Sequence, residues 1–336
     1  MQFFKLPVLL AFIILFTPRA LTAQTLIYPG DAPPTSCGWQ ILGTNSNENG
    51  NGITSSVISD SGALCWRLSD ESSTYQCQER NTSLGLLILD TGATVAARVK
   101  CESNLSTSSY NLGMALGSIG GMFIAIKTDM VELMDRNYSK KATASFTPDA
   151  VGYHIYQMSV KNSTPGDNNT ASWNIYRDGA SIISWTGKGY QNGYSGFLMG
   201  HAGQAGEGVW VFDWVTARND GAFSPSQWDP TPPPPPDAPV VTFPIAGTAV
   251  NSNNPEVLWQ GQSHDRYELH ITNTNSPTGS IVWDSGEVVS PADSCLIGTL
   301  PSGQYYAFVR IRNSAGWSAW SASISFSLEI RVRIIP

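Results

Sequence analysis

The sequence predicts an all-β chain built as two sandwiches of unequal size, and three observations carry that reading. Short apolar or alternating runs recur along the chain, separated by clusters of Gly, Asn, Ser and Asp. No amphipathic helical pattern of ordinary length interrupts them. A run of five prolines, Pro232 to Pro236, divides the chain, and no sheet absorbs such a run because proline lacks the N–H a ladder needs.

The larger module comes first. Its strand candidates are Ala63 to Leu68, Leu84 to Leu89, Thr94 to Cys101 and Met122 to Lys127, then Gly152 to Val160, Ser172 to Tyr176 and Gly208 to Val215. Tyr176 to Ile183 reads as a hairpin, since Asp178-Gly179 can supply the positive φ angles of a tight turn. Many short strands in about 200 residues point to a sandwich that curls into a jelly roll. Asp129, Glu132 and Asp135 are spaced by three. That period does not keep side chains on one face of a strand, so this stretch reads as a solvated turn or short helix.

Seven of the 21 prolines fall between Asp229 and Pro239. The five in a row predict a stiff polyproline spacer of roughly 16 Å, holding two modules apart. The expected division is 24–228, a linker at 229–239, and a second module at 240–336. In the latter, Glu256 to Gln260, Arg266 to Thr272, Ile281 to Ser285, Gln304 to Asn313 and Ala322 to Ile330 are strand candidates. About seven short strands in under 100 residues suit an immunoglobulin-like sandwich.

Composition narrows the function classes. Of 336 residues, 41% are hydrophobic, enough for real cores. The net charge of −7 argues against a nucleic-acid partner. Residues 1–23 have the form of a secretory signal peptide. Lys5 precedes the apolar run Leu6 to Phe16, which is too short to span a bilayer, and Ala23 offers a small residue for cleavage. The mature chain is therefore expected outside the cell and without a membrane span. Export makes Cys37, Cys65, Cys77 and Cys101 a disulfide framework with three pairings open. Cys295 reads as a small buried apolar residue. Asn81, Asn104, Asn137, Asn162 and Asn168 begin N-x-[ST] sequons and are expected to face solvent if glycosylated.

Two resemblances add to this. Tyr267 to Ile271, Tyr305 to Asn313 and the Trp317-Ser318-Ala319-Trp320-Ser321 box resemble a fibronectin type III domain. Arg310 and Arg312 share a strand face, so Trp317 and Trp320 could interleave with them as a cation–π ladder. The first module resembles a concanavalin A-like lectin/glucanase domain of the laminin-G-like branch. Tyr153 to Val160, Trp173 to Gly179 and Val209 to Val215 carry that likeness. It implies a jelly roll that binds glycans or proteins, or in some members cleaves polysaccharides.

The chemistry of the residues favours binding. No E-x-D-x-x-E run supplies the paired carboxylates of a retaining glucanase. His154 and Gln157 are three apart, so a lyase arrangement on one strand face is not met. There is no G-x-S-x-G elbow. The ligand-binding candidates are Trp185, Tyr190, Asn192 and Tyr194, whose rings and amide suit sugar faces and hydroxyls. Arg98 joins them as part of a same-face basic pair with Lys100, and His201 as a residue of a Gly-rich loop. Asp213, a carboxylate between Phe212 and Trp214, is the metal candidate. The resemblance implies a structural calcium there, with backbone oxygens as co-ligands. The expected function is carbohydrate binding, with a glycan or polysaccharide as partner. A lyase or hydrolase with a non-standard site, and an adhesive protein whose partners are other extracellular proteins, are the alternatives.

Overall fold

The structure is a computed structural model that describes residues 25–42, 48–72, 74–85, 89–104, 109–116, 121–135, 137–167, 169–188, 195–203, 207–232, 234–252 and 254–329. The expected signal peptide therefore lies outside the described residues. The chain is all-β. Among the described residues the one helical element is a 3-10 turn at Pro34–Cys37, and no helix is long and apolar enough to cross a membrane.

Two antiparallel sheets build the first sandwich. One runs in the spatial order Ala180–Thr186, Ala171–Arg177, His154–Asn162, Ala93–Asn104, Gly208–Arg218, Ala63–Asp70, Ile53–Asp60. Thr25–Tyr28 also pairs with Gly208–Arg218. The facing sheet runs Lys140–Ser145, Met130–Asp135, Gly121–Ile126, Ser109–Leu116, Ser195–Gly203, Cys77–Asn81, Gln40–Ile41. Strand alternation decides what enters the core. Val95, Ala97, Val99 and Cys101 point inward, and Arg98 and Lys100 outward. Trp66, Trp173, Trp210, Phe197 and Phe212 fill the interior. The predicted hairpin is present, with φ of 51° at Asp178 and 83° at Gly179. Ser61-Gly62 turns in the same way.

The outer face of the first sheet is sealed by the chain that follows its last strand. Thr94 donates to the Gly221 carbonyl (2.9 Å), Gln157 to that of Phe223 (2.8 Å) and Thr216 to that of Pro230 (2.9 Å). These bonds satisfy side chains that burial would otherwise penalise.

Residues 240–328 form a second, smaller sandwich with its own core of Val257, Trp259, Leu269, Ile271, Val309, Ile311 and Phe326. The cation–π ladder is present there. The Arg310 guanidinium lies 4.5 Å from the Trp317 ring and 4.8 Å from that of Trp320. The serines of the same box bridge to the neighbouring strand: Ser318 Oγ accepts from the Ile311 N–H and Ser321 Oγ from that of Val309. The two tryptophans of the box thus stack on an arginine of the strand and its two serines bond to the strand backbone.

Several expectations change. Met130–Asp135 is a strand, not a turn or helix. Val131 and Leu133 pack inside, while Glu132 is met by Lys127 and Lys140. Leu84 and Leu89 are buried in the core but sit in turns. The sequon residues Asn81 and Asn162 are buried, because their amides serve the fold.

The expected disulfides are absent, and all five cysteines are free thiols. Cys65 and Cys101 lie on strands separated by Gly208–Arg218. They are therefore about 9–10 Å apart across the sheet, beyond disulfide reach. Cys77 belongs to the opposite sheet and Cys37 to the 3-10 turn. Purified without reductant and unfolded in denaturant, the mature chain should take up five equivalents of an alkylating reagent per molecule. Mass spectrometry counts them, and a count of three or one would restore one or two disulfides.

Candidate functional site

The two sandwiches do not stand apart. Asp31, just after the first strand, accepts from the Arg312 guanidinium (3.1 Å) and from the Trp317 N–H (3.2 Å). Both charged side chains are only 9% exposed, so the pair is largely shielded from water. A Cβ on Gly316 would lie 3.2 Å from Asp31 Oδ2 and 3.6 Å from both Pro29 and Pro235, at a φ of +123° that other residues avoid. Pro232, Pro234 and Pro235 of the proline-rich segment line this seam, so the segment does not hold the modules apart.

Beside the ion pair the seam opens into a cleft of about 420 Å³. Trp214 and Leu64 line it from the first sandwich, Trp317 from the second, and Pro232, Pro234 and Pro235 from the linker. Asp31 and Asp213 bring carboxylates to the same walls. The volume lies in the range of small-ligand sites, and flat apolar rings with a few fixed acceptors are the composition such sites use.

Asp213 reaches the cleft through a change of strand pairing. Gly208–Arg218 pairs with Ala63–Asp70 from Gly208 to Phe212, then with Thr25–Tyr28 from Val215 to Arg218. Against Ala93–Asn104 on its other side, the register slips between Phe212 and Trp214, making Asp213 the extra residue of a bulge. Gly30 closes the gap, since a Cβ there would sit 2.2 Å from the Asp213 carbonyl oxygen. The Asp213 carboxylate meets the Arg98 guanidinium, with Cys65 Sγ at 3.7 Å. Asp213, the residue expected to hold calcium, has the Arg98 guanidinium as its partner in this structure. Arg98 is in turn covered by the Tyr153 ring at 4.4 Å, and Tyr153 donates to Asp60, which also pairs with Lys100. Arg98 is thus a neighbour of the cleft, held in a network of ion pairs, not a free cation for an acidic glycan.

The other candidates scatter. Trp185 lies opposite Trp173 on an edge hairpin and packs on the core. Tyr190, Asn192 and Tyr194 lie outside the described residues. His201 is fully buried, so its expected place at a ligand edge is corrected. Its ring stacks on Trp210 (4.7 Å between centroids) and Nδ1 donates to Asp70 Oδ2 at 2.6 Å. Its strand, Ser195–Gly203, turns His201 inward in register with Cys77. Gln157 is sealed beneath Phe223, while His154 contacts Asp149 and Asp178, so the lyase pair is not assembled. Sequence reading missed Trp214 and Trp317 as cleft residues because strand-like runs and a structural motif gave each a sufficient reason to be there. The cleft's third wall comes from the linker, and no local pattern reports which surface a linker touches.

A second buried group lies near His201. Glu79 is fully buried, and neither carboxylate oxygen has a hydrogen-bond partner among the described residues. Burial, with the charge of Glu48, pushes its carboxyl up to about 8. Glu132 shows the opposite balance: burial opposes its charge, but Lys140 and Lys127 outweigh burial and hold the carboxyl below its ordinary value.

The chain matches no protein-family model, and no curated protein matches it. Solved structures with a similar chain path include a carbohydrate esterase from Shiga toxin-encoding bacteriophage phi24B, 14% identical, covering 60% of this chain and 100% of that one with a TM-score of 0.41. A Bacillus subtilis protein of unknown function with a galectin-like fold is 10% identical, over 60% and 100%, with a TM-score of 0.37. The Emp46p carbohydrate recognition domain is 10% identical, over 56% and 91%, with a TM-score of 0.34.

Two outcomes follow for stability. Glu79 keeps a proton in the folded chain that the unfolded chain releases near pH 4.5. Its contribution is therefore complete below about 4.5 and is lost as pH rises towards about 8, at up to about 1.4 kcal/mol per pH unit. Urea midpoints of Glu79→Gln should vary less with pH across that window than those of the parent, and exceed them at pH 8. Separately, Arg98→Ala should destabilise by roughly 1–2 kcal/mol, and adding Asp213→Asn should recover part of the loss. Strict additivity in that double-mutant cycle would show that the two groups do not interact.

Proposed function

We propose that this protein binds carbohydrate, and that the cleft between its sandwiches is where it does so. The observation that carries the reading is the wall composition. Two indoles and four pyrrolidine rings offer flat C–H and π surfaces, and two carboxylates stand at the same walls. Sugar rings present apolar C–H faces and outward hydroxyls. The first stack on aromatic rings, and the second donate to fixed carboxylate oxygens. Asp31 and Asp213 are each anchored by an arginine, so they meet a ligand already oriented, which reduces the entropy lost on binding.

In this reading the chain is exported, with residues 24–228 as a lectin-like module, 229–239 as linker and 240–336 as a fibronectin type III-like module. The second module is part of the site, because it supplies Trp317.

The test is a glycan array with the full mature chain, followed by affinity measurements on the glycan class it selects. Trp317→Ala and Leu64→Arg should each weaken binding ten-fold or more, equivalent to about 1.4 kcal/mol. Trp185→Ala, on the distant hairpin, should leave it unchanged. Leu64 is 43% exposed, so its replacement probes the cleft without opening the core. Binding that survives both cleft variants but is lost with Trp185→Ala would move the site to the edge hairpin. A folded chain that retains no glycan would remove the carbohydrate reading.

A further inference from the structure

Away from the cleft, on the second sandwich, three side chains converge in a way the fold does not require. Glu268 and His270 lie on the strand Arg266–Thr272, two residues apart and on one face. Asp284 closes the neighbouring strand Ile281–Asp284, directly opposite His270 in register. His270 Nε2 is 3.0 Å from Glu268 Oε1 and 3.4 Å from Asp284 Oδ1, and the three ligand atoms all lie within 4.8 Å of one another.

The orientation of the imidazole is set from its other side. Nδ1 lies 2.7 Å from the Pro277 carbonyl oxygen. A carbonyl only accepts, so Nδ1 carries the proton. Nε2 is thereby turned toward two carboxylates, which leaves between the three groups a position that suits a cation. A histidine that donates Nδ1–H to a backbone carbonyl while Nε2 faces carboxylates has the arrangement of a metal ligand with its outer support in place.

We propose that Glu268, His270 and Asp284 bind a divalent zinc ion, leaving a fourth position open to an external donor. Bonds of about 2.0–2.1 Å to nitrogen and carboxylate oxygen put tetrahedral ligand atoms about 3.3 Å apart, and the two measured separations from Nε2 bracket that value. An imidazole ligand favours zinc over calcium or magnesium, which prefer all-oxygen sites.

The surroundings hold the ligands without completing the shell. Glu268 Oε2 is engaged by Arg310, itself fixed between Trp317 and Trp320, which leaves Oε1 for the metal. The His270 ring packs on Trp320 with centroids 4.4 Å apart. Asp284 is about half exposed, so ions have a path from solvent. The site uses none of the residues assigned to glycan binding except through the shared ladder.

Equilibrium dialysis of the untagged full-length chain against Zn²⁺ at pH 7.5, followed by metal analysis, tests this. About one equivalent per chain should be retained. Asp284→Asn and His270→Gln should each lower the affinity ten-fold or more, and Co²⁺ in place of Zn²⁺ should give the visible absorption of a tetrahedral site in the parent only. Asp284→Asn changes a half-exposed side chain, so it keeps the test valid if His270→Gln folds poorly. Failure to retain zinc above background would overturn the proposal and leave a proton on Nε2 as the occupant. Uptake that is unchanged in both variants would overturn it equally, by placing the metal elsewhere.

Discussion

The strand Gly208–Arg218 changes partners halfway along, and much of the first sandwich is arranged around that change. A strand in the middle of a sheet needs a neighbour on each side along its whole length, or its backbone groups go unpaired. Here one side is met by Ala93–Asn104 throughout, and the other first by Ala63–Asp70 and then by Thr25–Tyr28. At the junction the register slips and Asp213 becomes supernumerary. N-terminal to the slip, Trp210 packs inward under His201. C-terminal to it, Trp214 comes to line the cleft. The bulge therefore separates a tryptophan enclosed in the interior of the first sandwich from one that is buried at the cleft wall, four residues apart.

The seam between the modules adds a second constraint. An ion pair as sheltered as Asp31–Arg312 is strongly disfavoured if either partner is removed, though an apolar replacement of both can be tolerated. It works here as a registration device. Arg312 is held near the Trp317 ring on its own module (5.9 Å), and Asp31 also accepts from the Trp317 backbone. Pulling the sandwiches apart would strip Asp31 of both its partners and leave Arg312 with Glu287 alone, 3.9 Å away. The prolines reinforce this, because a polyproline segment loses little freedom when it is laid along a surface.

How far the sequence reveals this depends on whether the cause is local. The Asp178-Gly179 hairpin and the Arg310 ladder were legible, since each follows from turn chemistry or strand period over a few residues. So were the strands with clear alternation, such as Ala93–Asn104 and Gly303–Asn313. The polar strand Lys140–Ser145 and the Gly-containing Ser195–Gly203 were not, because their stability comes from neighbours in the sheet rather than from their own pattern. Thiol pairing failed for a related reason: oxidation is decided by distance between strands, and Cys65 and Cys101 are kept apart by a strand whose sequence lies over a hundred residues away. The cleft is the extreme case, with walls drawn from five separate stretches of chain.

Buried charge shows the same dependence on non-local partners, and it separates structural from functional polar groups. Glu132 and Glu79 are both buried carboxylates on strands of one sheet. Two lysines make the first a stable anion, while the second, with no partner among the described residues, keeps its proton towards pH 8. His201 and His270 divide in the same way. The former is enclosed, stacked on Trp210 and matched to one carboxylate, an arrangement that holds the ring in place and exposes nothing to solvent. The latter is pinned by a carbonyl from behind and turned toward two carboxylates, one of them open to water. Burial alone predicts inertness for both histidines. The groups that each ring nitrogen faces, and whether solvent reaches them, are what separate the two histidines.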